Sequence, residues 1–315
     1  VRNGEFSGND IDNIREFAST RSFDMAYFPG IDAADTNRFN LLDQPWLYDG
    51  IHAMLGDDAD AWFSSYKYFV EPATDDRPYF SHFFKWRTLP EVLSLRASGG
   101  AGLIEWAYLI VVATLVQAVV VGCVLILLPL SRVRRTWSGG LRYGSYFLLL
   151  GLAFLFVEIA FIQKFTLFLG HPLYAIAVVL ASFLVFAGAG SAYSARATRP
   201  VSIAVAGIVG IAVLYMLILP PVFGRLIGTA DVLRILLSVA LIAPLAFFMG
   251  MPFPLGLRRL AEEAPDFVPW AWGINGFASV VSAVLATLLA IHFGFTAVIA
   301  LALLLYVAAA SLRVA

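Results

Sequence analysis

Charge is scarce in this sequence: Asp, Glu, Lys and Arg make up 14% of its 315 residues, against about a quarter in a typical soluble domain. With 60% of residues hydrophobic, that scarcity excludes an ordinary water-soluble globule and points to lipid as part of the solvent. Lysine is nearly missing, at Lys67, Lys85 and Lys164 only. Neither half of the chain has a concentrated Lys/Arg face, which excludes a nucleic-acid binder. Cys123 is the single cysteine, so no intrachain disulfide can form and redox compartment cannot be read from it. His52, His82, His171 and His292 stand apart, without Cys or acidic neighbours at ligand spacing, and no metal site is expected. Ser/His/Asp and Cys/His arrangements are missing too. No Gly-x-Gly-x-x-Gly lies between a strand and a helix, so no donor-nucleotide loop is expected in these residues. The sequence opens on Val1 in polar surroundings, without a starting Met or a signal peptide, and further residues are expected upstream.

The charges that are present divide the chain. Residues 1–100 hold 16 acidic and 9 basic side chains, and residues 101–315 hold 6 and 12. An acidic head of about 100 residues therefore precedes a basic, apolar body. A helix needs about 20 mainly apolar residues to cross the hydrocarbon core. By that measure the body holds about seven spans, at 103–130, 144–168, 172–194, 201–220, 231–250, 268–290 and 294–312. Gly170-His171-Pro172 joins the second and third as a hairpin. Pro220-Pro221 is expected to end the fourth span, and Pro252 with Pro254 the fifth.

The head reads as a small α/β unit. Ser7 and Asp10 mark a helix start with Ile11, Ile14 and Phe17 along one side. Residues 22–28 form an apolar run with the look of a buried strand, stopped by Pro29-Gly30, and helical patches follow near 46–55 and 59–66.

Arg132, Arg134, Arg135, Arg142, Arg196, Arg199, Arg258, Arg259 and Arg313 fall in one set of loops. Lys85, Arg87, Arg96, Lys164, Arg225 and Arg234 fall in the other. Nine against six favours a cytoplasmic C-terminus and a head on the outer side of a plasma (inner) membrane.

Glu158 is the one acidic residue well inside a span, where an acidic side chain at helix centre costs about 2.5–3.5 kcal/mol on insertion scales. It is expected to face protein or water, either as a proton, cation or substrate site or as a hydrogen-bonded carboxyl locking two helices. Gln163 adds a polar group on the same helix. Lys164 lies about 120° around the helix from Glu158 and is expected to snorkel to the interface. Asn275, Ser279 and Ser282 follow an i, i+4, i+7 spacing on one face. Such a stripe brings helices close with hydrogen bonds across the contact, or lines a polar cavity. Asp75, Asp76 and Arg77, ahead of Pro78, suit a turn with a local salt bridge, or a ligand-binding motif.

Three stretches, in this order, resemble the membrane-embedded spermidine synthase-like proteins of bacteria. They are Thr74-Asp75-Asp76-Arg77-Pro78-Tyr79, then Phe156-Val157-Glu158 through Gly170-His171-Pro172 to Gly188-Ala189-Gly190-Ser191, then Gly250-Met251-Pro252-Phe253-Pro254 with Gly273-Ile274-Asn275-Gly276. The resemblance covers most of residues 60–315. It implies that the head is the tail of a larger Rossmann-like domain. It also implies aminopropyl or methyl transfer from S-adenosylmethionine or its decarboxylated form, with the donor held by an upstream domain rather than by this chain. The rival reading is a non-enzymatic membrane module, a small-solute carrier or a scaffold subunit, with the bilayer and other membrane subunits as partners.

Overall fold

The computed structural model describes residues 4–40, 43–97, 106–129, 139–196 and 200–314. It divides into two compact units, Val1–Glu71 with Phe83–Ile104, and Pro72–His82 with Glu105–Ala315.

In the first unit Ser7 caps helix α1 (Gly8–Thr20). Its backbone N–H donates to Asp10 at 2.8 Å, while the Asp10 N–H donates back to the Ser7 hydroxyl at 3.3 Å. This is a reciprocal box with Asp in the place usually held by Glu. Helices α2 (Trp46–Leu55), α3 (Ala59–Ser65) and α4 (Leu89–Ala97) follow. The expected α/β character is not found. Among the described residues there is no strand, and the one β-type pairing is the isolated Thr74–Arg77 bridge. The reason lies in residues 22–28: a strand needs a ladder partner, and this unit supplies none. The run is instead irregular, with Ser22 at φ 57° and Phe23 and Tyr27 at least half exposed. Asp24 stitches it down, its carboxylate accepting the backbone N–H groups of Arg38, Phe39 and Asn40 at 2.8–2.9 Å.

The second unit is a helical bundle. Helices α5 (Trp106–Leu127), α6 (Gly140–Leu169), α7 (Pro172–Arg196), α8 (Val201–Leu226) and α9 (Asp231–Met249) precede a short amphipathic α10 (Pro252–Glu263) and the long α11 (Val268–Ser311). Six runs of helix are long and apolar enough to cross a membrane. At 1.5 Å per residue the 44 residues of α11 would stretch about 66 Å, twice the ~30 Å hydrocarbon core. They do not form one rod, because Gly294 interrupts the helix at φ 85°, ψ 161°. The first limb runs alongside α6: Asn275 bonds to the Phe147 carbonyl, Ser282 to that of Leu152, and Thr296, just past the break, reaches Lys164. The second limb returns, since Tyr306 comes back within electrostatic reach of Tyr146 and Glu158. The two expected spans at 268–290 and 294–312 are thus the limbs of one hairpin. One end of the bundle carries the turns at Gly170 and Gly294. The opposite end carries the start of α6 and helix α10, where Tyr146 donates to the Pro252 carbonyl at 2.6 Å.

Of the two expectations about proline, the first fails and the second holds at Pro252. Pro220 and Pro221 lie inside α8, which continues to Leu226. Each removes one N–H, from the carbonyls of Met216 and Leu217, but this happens within the last two turns, where few ladder bonds remain to be lost. Helix α9 already ends at Met249, and Pro252 opens α10 at its first helical position, where a missing N–H costs nothing.

Gly190 and Gly250 show why the two glycine-bearing stretches are spaced as they are. A Cβ on Gly190 would run into the Phe247 backbone, and one on Gly250 into that of Ala187. Helices α7 and α9 therefore touch backbone to backbone. Around α6 the core is aromatic, with Phe147, Phe156, Phe161, Phe165 and Phe168 all essentially inaccessible. Helix α5 stands apart, with very little of its apolar surface buried. Its contacts include the Phe277 ring lying over Gly122.

Candidate functional site

The second limb of α11 begins at Phe295, and its first N–H groups have no carbonyl within the helix to bond. Asp76 supplies the partners. Its backbone carbonyl accepts from Phe295 N at 3.0 Å, and its Oδ1 accepts from Thr296 N at 3.0 Å and Thr296 Oγ1 at 2.6 Å. A carboxylate at a helix N-terminus also sits favourably in the helix dipole. Lys164 Nζ completes the group, donating to Asp76 Oδ1 at 3.2 Å and lying 3.5 Å from Thr296 Oγ1. Gly294 is obligatory twice over: its positive φ disfavours any side chain, and a Cβ there would meet the Asp76 carboxylate.

The segment is presented by a tight turn. Arg77 N donates to the Thr74 carbonyl at 2.9 Å and to its hydroxyl at 3.2 Å. Tyr79 then packs on the Phe295 ring at 5.9 Å, and burial pushes its phenol up to about 12, so it remains a neutral hydroxyl. The turn expected at residues 74–77 is therefore present. The ion pair of Asp76 is not local, because its partner Lys164 lies 88 residues on. Asp75 remains exposed and has no hydrogen bond or ion pair among the described residues.

The intramembrane candidates do not form one site. Asn275 donates to the Phe147 carbonyl at 3.1 Å and Ser282 to the Leu152 carbonyl at 2.8 Å, both across to α6. Ser279 instead bonds back to Asn275 on its own helix at 3.0 Å. Glu158 is buried at 8% exposure, and among the described residues no hydrogen bond joins it to any of these three. The buried Tyr306 hydroxyl also has no hydrogen-bond partner among the described residues. Gln163 is half-buried, likewise without a hydrogen bond among the described residues.

Spacing alone did not reveal two contributors. Thr296 and Gly294 carry no motif, and only the sequence break in hydropathy near residue 292 hinted at a turn there. The histidines are not all scattered: His82 and His292 come together with ring centres 6.2 Å apart, and Tyr108 Oη lies 2.9 Å from His292 Nε2. No group of three or more His, Cys, Asp or Glu with metal-binding geometry occurs among the described residues.

Beside the Asp76 group lies a partly open cavity of about 350 Å³. Asp75, Asp76, Lys164 and Thr296 form its polar end, and α6, α8 and the second limb supply apolar walls, among them Phe161, Phe168, Leu219 and Ile299. Its volume is in the range of small-molecule sites, ~300–1,000 Å³.

Helices of this length and apolarity, joined by tight turns, define a multi-pass helical membrane protein. No family model, no curated protein and no solved structure matches the chain.

Proposed function

We propose that this chain is the membrane part of a spermidine synthase-like protein and that its bundle serves as the docking base for the segment that closes the soluble domain. The observation that carries this reading is the capping of the Gly294 hairpin by Asp76. The Thr-Asp-Asp-Arg-Pro-Tyr stretch, which in the resembling family ends the soluble domain, packs here with the membrane unit. On this reading, aminopropyl or methyl transfer from an S-adenosylmethionine-type donor belongs to an upstream domain. The bilayer and that domain are then the chain's partners.

The test is Asp76→Ala with Asp76→Asn as its control, in the full chain in lipid nanodiscs. Loss of an N-cap costs about 0.5–2 kcal/mol, and Asn keeps an oxygen acceptor while losing the ion pair. Asp76→Ala should lower the melting temperature and open residues 72–82 to protease, and Asp76→Asn should do so less. Unchanged melting and unchanged cleavage in Asp76→Ala would refute the docking role.

The plasma (inner) membrane is the proposed location, with the end bearing Asp76, His171 and Gly294 outside and the arginine-rich end bearing Arg142, Arg196 and Arg258 in the cytoplasm. The support is the excess of basic residues, nine against six, in the set of loops that holds Arg142, Arg196 and Arg258. In a Cys123→Ser background, His171→Cys should react with an impermeant maleimide in intact cells, and Glu262→Cys only after permeabilisation. The reverse pattern would invert the topology.

A further inference from the structure

The geometry points to the cavity between α6, α8 and the second limb of α11 as a binding site for an amphiphile with one alkyl chain and an ammonium head. Three features specify that ligand. The walls are apolar along most of their extent: Phe161, Phe168, Ala212, Leu219, Phe223 and Ile299 offer dispersion contacts and no competing polar partner. The volume, about 350 Å³, lies at the low end of small-molecule sites, ~300–1,000 Å³, which favours one alkyl chain over two.

Charge at the polar end fixes the head. Asp75, Asp76 and Lys164 all line the cavity there. Lys164 is already committed to Asp76 at 3.2 Å, so the carboxylate left without a counter-charge is that of Asp75, which is exposed and has no partner among the described residues. An anionic head would face two carboxylates and a lysine already engaged. Arg225 is exposed and does not line the cavity. A primary ammonium pairs with Asp75 while its chain runs inward along Phe168 and Leu219. This site goes beyond the docking role of Asp76 but rests on it, because the segment that Asp76 holds on the hairpin also carries Asp75 to the cavity, although Asp75 takes no part in the capping.

Native mass spectrometry of the full chain, released from a mild detergent, tests the idea with four probes at equal concentration. These are dodecylamine, dodecanol, dodecyl phosphate and butylamine. One dodecylamine adduct per chain is expected, with dodecanol weaker by about two- to fivefold, the range of an exposed ion pair. Dodecyl phosphate should be weaker still, and butylamine should leave no adduct. Asp75→Asn, at an exposed position that does not threaten folding, should erase the preference of amine over alcohol and leave alkyl binding intact. Ala212→Phe should abolish both adducts by filling the cavity. If that variant does not melt cooperatively, Ile299→Phe serves the same purpose from the opposite wall. Preference for dodecyl phosphate, an unchanged amine-to-alcohol ratio in Asp75→Asn, or full dodecylamine binding by a folded cavity-filled variant would each overturn the assignment.

Discussion

The two units satisfy the same backbone requirement by opposite means. In the bundle nearly every N–H and C=O is bonded within its own helix, and apolar side chains are free to pack, down to the backbone contact of Gly190 with Phe247. In the first unit, charged side chains reach out to irregular backbone. Asp24 gathers three N–H groups, Lys85 donates to the Phe63 and Tyr66 carbonyls, and Arg87 donates to those of Ser65 and Tyr66. Among the described residues its buried apolar side chains are correspondingly few, Ala18, Ile31 and Phe84. The contrast teaches that the bundle is held by shape and the first unit by electrostatics. Each should respond to a different kind of perturbation.

Shape is broken most severely at Gly294. Replacement by Val forces a β-branched residue to positive φ, costing about 1–3 kcal/mol. It also displaces the Asp76 cap, about 0.5–2 kcal/mol more. Cooperative melting in nanodiscs should therefore fall further than for any cap or hydrogen-bond deletion in the bundle. A Gly294→Val protein that melts like wild type would mean that the hairpin is not set by this residue.

A smaller effect is expected from the polar contacts between α6 and α11. Interhelical hydrogen bonds inside membranes average about 0.6 kcal/mol, so Asn275→Ala and Ser282→Ala should each lower stability by about that much, and Ser279→Ala, whose bond stays on its own helix, by less. Equal losses at all three positions would show that the stripe acts as a cavity lining instead.

The smallest effect sharpens the electrostatic side. Hydrogen bonds from the Asn40, Phe39 and Arg38 backbone hold the Asp24 carboxyl below its ordinary value of 3.8. A carboxyl depressed on folding stabilises above its unfolded value and loses that contribution as pH falls through the folded one. Hydrogen exchange at amides 38–40 should be slower in wild type than in Asp24→Asn at pH 6. The difference should start to shrink as pH drops below about 4, the unfolded carboxyl value, and vanish only below the lower value that the folded carboxyl keeps. The bundle's amides should show no such dependence on Asp24.

What the sequence made legible follows the same division. Span positions could be read because lipid imposes one simple demand, a sufficient apolar length, and even the break near residue 294 was visible as two runs. The prolines of α8 misled because their effect depends on how close they stand to a helix end. The apolar run 22–28 misled because strand formation depends on a partner elsewhere in the chain. Asp76 stood out within a motif, yet its role did not, because Thr296 and Gly294 are ordinary residues in an apolar stretch. Their meaning comes only from the fold-back that brings them to Lys164.

That closure spans 220 residues of sequence between Asp76 and Thr296. At a synthesis rate of about 5–20 residues per second, Asp76 emerges roughly 10–45 s before the helix end that it will cap. During that interval helices α5 to α9 are made one after another, with the hairpin's lock still open. The junction of Asp76, Lys164 and Thr296 in this sense records that the chain has passed Gly294 and turned back.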